Sequence, residues 1–133
     1  IELYEYMNSP DYYTIYPPFT QLIFYVSTLF GDNVFISTVV MKVIFVIAEV
    51  FTFKGILHLL KALNQKSEYV LFYFLNPLVM VEGVGNLHFE ITMITFLVWS
   101  LYYIFIKPKL VLGALSYTLS IATYSIFYLV TFY

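Results

Sequence analysis

The stretch on which the reading of this chain turns is NPLVMVEGVGNLHFE, Asn76 to Glu90. An Asn-Pro pair interrupts an apolar run, two glycines close it, and Asn86, His88 and Glu90 follow at alternate positions behind Glu82. Proline lacks the N–H that a helix needs and clashes with the preceding turn, so a helix through Pro77 is expected to kink. Glycine is the usual residue at a helix end, which suits Gly83 and Gly85. Two local geometries then follow. In an extended turn, Asn86, His88 and Glu90 all face one way. If the next helix instead begins with Asn86 as its N-cap, Asn86 and Glu90 share a face, and Glu90 meets the positive end of the helix dipole.

The surroundings are apolar in both directions. Of 133 residues, 62% are hydrophobic and 11% charged, and the mean hydropathy is +0.86. Soluble domains carry about 25% charge, so the composition points to a multi-pass, all-α membrane protein. Aromatics make up 22%, with 14 Tyr and 14 Phe, which suits a chain with much surface at the bilayer–water boundary. The net charge of −2, with lysine but no arginine, argues against nucleic-acid binding. The absence of cysteine excludes disulfides and thiolate metal sites. No metal-ligating, Walker or serine-hydrolase motif is present, and no metal or cofactor is expected. The ends, Ile1 and Phe132-Tyr133, read as those of an internal fragment of a longer protein.

The hydropathy pattern predicts about four transmembrane helices plus one juxtamembrane or re-entrant helix. Residues 1–16 form an acidic, aromatic outer loop. Pro17-Pro18 opens a helix over 17–31; about 20 Å of helix is too short for a core of roughly 30 Å, so it lies in the interface. Spans are expected at 34–60, 69–84, 87–106 and 110–130. Alternating these spans places Lys54, Lys61, Lys66, Lys107 and Lys109 together, and the positive-inside rule makes that side cytoplasmic. The extracytoplasmic side then carries Asp11, Asp32, Glu82, Asn86, His88 and Glu90.

The polar groups each have a structural and a functional reading. Asn86, His88 and Glu90 either cap a helix or line a polar cavity, since ionisable groups at a membrane edge are candidates for function. Lys42 and Glu49 stand seven residues apart on one face of the first span, about 10 Å along the axis, too far to pair. Lys42 either snorkels or meets a phosphate, and Glu49 is read as making an interhelical hydrogen bond. Lys54, His58 and Lys61 share a face at the inner surface, where snorkelling accounts for them. Gly113, Ser116, Ser120 and Thr123 form a small-residue stripe that reads as helix packing. Trp99 and most tyrosines read as interface anchors, while Tyr13 and Tyr16 could edge a cavity. Asp11 sits in a Ser-Pro-Asp turn, where aspartate is common in any case.

The order of the segments is more informative than any one of them. SPDYYTIYPPFTQ is followed by GDNVFISTVVMKVIFVIAEVF, then FLNPLVMVEGVGNLHFEITMITFLVWSLYYIF, then KPKLVLGALSYTLSIATYSIF. This succession resembles the membrane-embedded GT-C glycosyltransferase superfamily, and within it the GPI-type and bacterial mannosyltransferases that use polyprenyl-phosphate sugars. The matching features are Ser9-Pro10, Tyr16-Pro17-Pro18, Lys42 with Glu49, Asn76-Pro77, and the loop from Asn86 to Glu90.

The resemblance implies transfer of mannose from a polyprenyl-phosphate donor to a glycan or lipid acceptor. The setting would be the extracytoplasmic face of a bacterial cytoplasmic or ER-type membrane. It implies a carboxylate general base in the first outer loop and cationic groups on the leaving phosphate. That base is expected upstream of Ile1; Asp11 is the substitute within this chain, although it matches a later part of the loop. The fragment alone is therefore expected to be inactive. Substrate-binding positions implied here are Tyr16, Lys42, Glu82, Asn86, His88, Glu90 and Tyr124. Tyr124 replaces a lysine that many relatives carry in an Ala-Thr-Lys motif, so it brings a hydroxyl but no positive charge. Two other readings compete: a transporter or flippase segment, whose site would lie near the midplane, and a non-catalytic membrane scaffold. Placement of Glu82, His88 and Glu90 at the outer end of their spans is the expectation that favours the transferase.

Overall fold

The computed structural model describes residues 16–31 and 33–123, and among them the regular structure is entirely helical. Asp11, Tyr13, Asp32, Tyr124 and the Ser9-Pro10 turn lie outside the described residues. Helix α1 runs Pro18–Thr28, with proline in its first turn as expected. Helix α2 runs Val34–Ala62, opened by Asn33, whose side chain accepts a hydrogen bond from the Phe35 N–H. At 29 residues it is about 43 Å long, enough to cross a bilayer. Only 11% of its most apolar stretch is buried, unlike the core helix of a soluble domain.

The segment read as one kinked span over 69–84 is instead broken. A 3₁₀ turn at Ser67–Tyr69 leads into the short α3, Val70–Phe74, which ends at Leu75. Pro77 cannot donate, and the next N–H, that of Leu78, turns to the Asn76 side chain at 3.0 Å. The chain restarts as a wide π-helical segment, Val79–Gly85. Helix α4, Glu90–Leu101, continues through a second π segment, Tyr102–Ile106, and α5 covers Leu110–Thr123. The π segment before the loop meets the α4 unit at 110°, so the pair forms a bent or re-entrant element. Of the described helices, α2 alone is long and apolar enough to cross a membrane by itself.

Helix α4 is the hub, packing against α5 and α2. Its contacts with α2 advance together along both chains: Phe45 meets Phe89, Thr52 meets Thr95, and His58 meets Tyr102, so α2 and α4 run parallel. Helix α5 returns antiparallel, its Gly113 against Ile104 and its Ser120 donating to the Met93 carbonyl at 3.1 Å. Lys54 and Lys61 of α2 and Lys107 and Lys109 after α4 therefore gather at one end of the bundle.

The interior is built from small hydroxylated residues. Thr20, Ser27, Thr52, Thr92, Thr95, Ser100, Ser120 and Thr123 are buried, whereas among the described residues the buried hydrophobics are Ile23, Phe45, Val70 and Ile91. These short side chains let helices approach closely, and the hydroxyls of all but Ser100 meet a carbonyl or a neighbouring hydroxyl. Thr20 donates to the Thr123 carbonyl at 2.7 Å, tying α1 to α5, and the Thr52 and Thr95 hydroxyls lie 2.8 Å apart. The small-residue stripe of α5 serves this packing, as its spacing predicted. Large apolar side chains such as Val34, Phe35, Phe72, Phe105, Leu110 and Val111 face outward.

Candidate functional site: a histidine between two carboxylates

The loop between the two bent halves is fixed by three contacts. Leu87 takes a left-handed conformation, φ 60°, which for a non-glycine residue costs about 1–2 kcal/mol. Its side chain packs on the cluster of Ile23, Phe45 and Ile91, and that burial offsets the strain. Phe89 inserts edge-on against Phe24 and Phe45, with ring centroids 5.3 and 5.2 Å away, and also meets Tyr16. Gly83 lies so close to Ile91 that an added Cβ would collide with its Cδ1. The close approach, rather than a helix stop, is what requires glycine there.

These contacts leave His88 between Glu82 and Glu90. Its Nε2 is 3.3 Å from Glu82 Oε2 and its Nδ1 is 3.4 Å from Glu90 Oε2. Both distances exceed the usual hydrogen-bond length, so the groups are close without being locked together. A neutral imidazole has one N–H and can serve one carboxylate; an imidazolium can serve both. The three side chains are half exposed. Asn86 Nδ2 donates to Glu82 Oε2 at 3.0 Å, steadying that carboxylate. Asn86 is the residue closing the π segment, and Phe89 precedes α4, so of the two geometries open to this loop the one with Asn86 capping the next helix does not form. The reason is that its side chain is already committed backward to Glu82. Glu90 does sit in the first turn of α4.

An open cleft of about 270 Å³ runs past this cluster, lined by Tyr73, Leu78, Glu82, His88, Glu90 and Ile94 among others. The arrangement offers acceptors on two sides and a proton-carrying ring between them, a set suited to polyhydroxylated ligands or to general acid–base chemistry. Among the expected residues, Glu82, His88 and Glu90 come together and Asn86 supports them. Tyr16 touches Phe89 but does not line the cleft. Lys42 is exposed on α2 and makes no ion pair among the described residues. Its position three residues before Phe45 puts it within about 4.5 Å of the loop's level along the axis.

Aromatic packing sets the level of the loop along α2. Phe89 packs on Phe45, eleven residues into α2 and so about 17 Å from its start. The cluster is recessed toward the middle of α2, because the aromatic loop docks on the hydrophobic cluster there and not on the tip of the helix.

Tyr73 is the lining residue that sequence reading missed. It is one tyrosine among many in an apolar run, and nothing local marks it. Its hydroxyl donates to Glu49 Oε1 at 3.0 Å, which supplies the interhelical hydrogen bond expected of Glu49. Glu49 and Lys42 do not pair, as their spacing required.

The comparison with protein families separates the readings. Residues 7–132 match the family described as alpha-(1->6)-mannopyranosyltransferase, N-terminal domain. The chain belongs to this family. Membership supports a mannosyl glycosyltransferase over a transporter segment. No curated protein and no solved structure matches the chain.

Proposed function

We propose that this mannosyltransferase-family chain is part of a multi-pass membrane enzyme of GT-C type that takes mannose from a polyprenyl-phosphate donor. The acceptor is a glycan or lipid, and transfer occurs on the extracytoplasmic side. The observation that carries the reading is His88 held between Glu82 and Glu90 in an open cleft. Half-exposed ion pairs add little to stability, about 0–1 kcal/mol each, so folding alone gives little reason to gather three ionisable groups there. The roles are binding and orientation of sugar hydroxyls by Glu82 and Glu90, with His88 positioned between them. Lys42, level with the loop and in no ion pair among the described residues, is assigned to the donor phosphate, and Tyr16 to the rim. Tyr124 and Asp11 keep their proposed places at the donor and in the outer loop.

The membrane setting is supported by the outward-facing apolar side chains, the buried hydroxyls and the length of α2. In the proposed topology about four spans cross, with the broken 69–84 segment as one of them. The lysine-bearing end is cytoplasmic by the positive-inside rule.

The test is sugar transfer by the full-length protein in nanodiscs, supplied with polyprenyl-phosphate mannose and candidate acceptors. Wild type is compared with His88→Ala, Glu82→Gln and Glu90→Gln. A loss of about 100-fold or more in these variants, with folding intact, supports the site. Unchanged transfer removes the cluster from the mechanism while keeping the family.

A further inference from the structure

The cleft beside His88 is layered. At the loop it is edged by Glu82, His88 and Glu90. One turn farther from the loop each wall is apolar: Leu78 stands four residues before Glu82, and Ile94 four residues after Glu90. Tyr73 lines the cleft as well, yet its hydroxyl is committed elsewhere. It donates to Glu49 Oε1 at 3.0 Å, and Glu49 is a buried residue of α2 that does not line this cleft. Glu49 lies one turn beyond Phe45, on which the loop docks, so the hydroxyl is anchored about 6 Å along α2 from the level of the loop. The neighbouring Phe74 packs edge-on against Phe53 with ring centroids 5.4 Å apart, which fixes the short α3 on α2. With its hydroxyl held by Glu49, what Tyr73 gives the cleft is its carbon ring.

Building on the sugar-transfer reading of this cleft, on which it rests, we infer that the Tyr73 ring is a platform for one pyranose ring of the substrate. The C–H groups of the sugar lie on Tyr73 while its hydroxyls reach Glu82, His88 and Glu90. Glu49 is the positioning residue that keeps the tyrosine hydroxyl out of the cleft. A pyranose carries hydroxyls around its edge and C–H groups on its faces, so it needs an apolar surface and a few polar groups together. The layering of the cleft supplies both. Its volume of about 270 Å³ lies below the range of about 300–1,000 Å³ usual for drug-sized ligands, which suits a single sugar ring and not a chain of them. A free tyrosine hydroxyl in the apolar layer would need a partner of its own. Glu49 supplies that partner from behind, so the face under the sugar stays apolar.

The experiment compares two double variants of the full-length protein in nanodiscs. Tyr73→Phe with Glu49→Leu keeps the aromatic ring, and Tyr73→Leu with Glu49→Leu removes it. Neither leaves a buried carboxyl without its partner, and thermal unfolding checks that both fold. Transfer is followed over a range of polyprenyl-phosphate mannose and acceptor concentrations. The double variant without the ring should show a KM for one of the two substrates about tenfold above that of the double variant with it, the size of one aromatic contact, with a smaller change in kcat. Equal KM values in the two overturn the platform. With Tyr73 intact, Glu49→Leu should raise the same KM, and Glu49→Gln, whose amide oxygen still accepts from the hydroxyl, should recover most of the loss. No recovery overturns the positioning role of Glu49. His88→Ala is measured alongside. If wild type transfers no sugar, or His88→Ala transfers as wild type does, the sugar-site reading has failed and the platform falls with it. If His88→Ala loses transfer while the two double variants share one KM, the platform alone has failed.

Discussion

The imidazole of His88 stands between two carboxylates, Nε2 3.3 Å from Glu82 and Nδ1 3.4 Å from Glu90. The two acids approach from opposite sides of the loop, one from the π segment and one from the first turn of α4. They share one partner, and so their effects on any reaction should be coupled.

Glu82→Gln and Glu90→Gln should each reduce sugar transfer, and the double variant should lose less than the product of the two single losses. Residues that act through one shared group are non-additive. Their thermal stability should change little, within about 0.5 kcal/mol, because both carboxylates are substantially exposed. Transfer kinetics beside thermal unfolding in detergent check both halves. A large stability loss would mean the cluster is structural.

Tyr73→Phe removes the one hydrogen bond that the buried Glu49 carboxyl makes among the described residues. The expected cost is about 1–3 kcal/mol. Replacing both partners, Tyr73→Phe with Glu49→Leu, should recover much of it, since removing a buried polar pair together is far milder than orphaning one member. Thermal unfolding of the three variants decides; a double variant worse than Tyr73→Phe would sink the account.

Gly83→Ala should destabilise by about 1–3 kcal/mol, because the new methyl meets the side chain of the buried Ile91, which has to shift to admit it. Adding Ile91→Val shortens the clashing branch, so the double variant should cost less than the sum of the singles. The same variants should lower transfer, since this contact sets the angle of the loop that carries His88.

Thr95→Val breaks the buried meeting of Thr95 with Thr52, at 2.8 Å, and with the Ile91 carbonyl, also at 2.8 Å. Interhelical hydrogen bonds in membrane proteins contribute about 0.6 kcal/mol on average and up to about 1.7. Unfolding of Thr95→Val should fall in that range. Thr95→Ser, which keeps the hydroxyl, should retain most of the stability.

Much of this arrangement was present in the amino-acid order. Apolar content and hydropathy determined an all-helical chain, the Pro17-Pro18 pair marked where α1 starts and Gly85 where the π segment stops, and small residues spaced along α5 announced its packing face. Glu82, His88 and Glu90 were legible as candidates because ionisable groups are scarce in so apolar a chain. The tertiary structure decided what those groups do to one another. Spacing along a helix is set by local geometry, but the path between Gly85 and Glu90 is not helical, and its shape depends on distant partners. Phe89 docking on Phe24 and Phe45, and Gly83 closing on Ile91, turn the loop so that one imidazole meets two acids. The pairing of Glu49 with Tyr73, twenty-four residues apart, likewise depends on how the broken segment lies against α2. Contacts of this kind are chosen by packing across elements, which no local pattern of residues encodes.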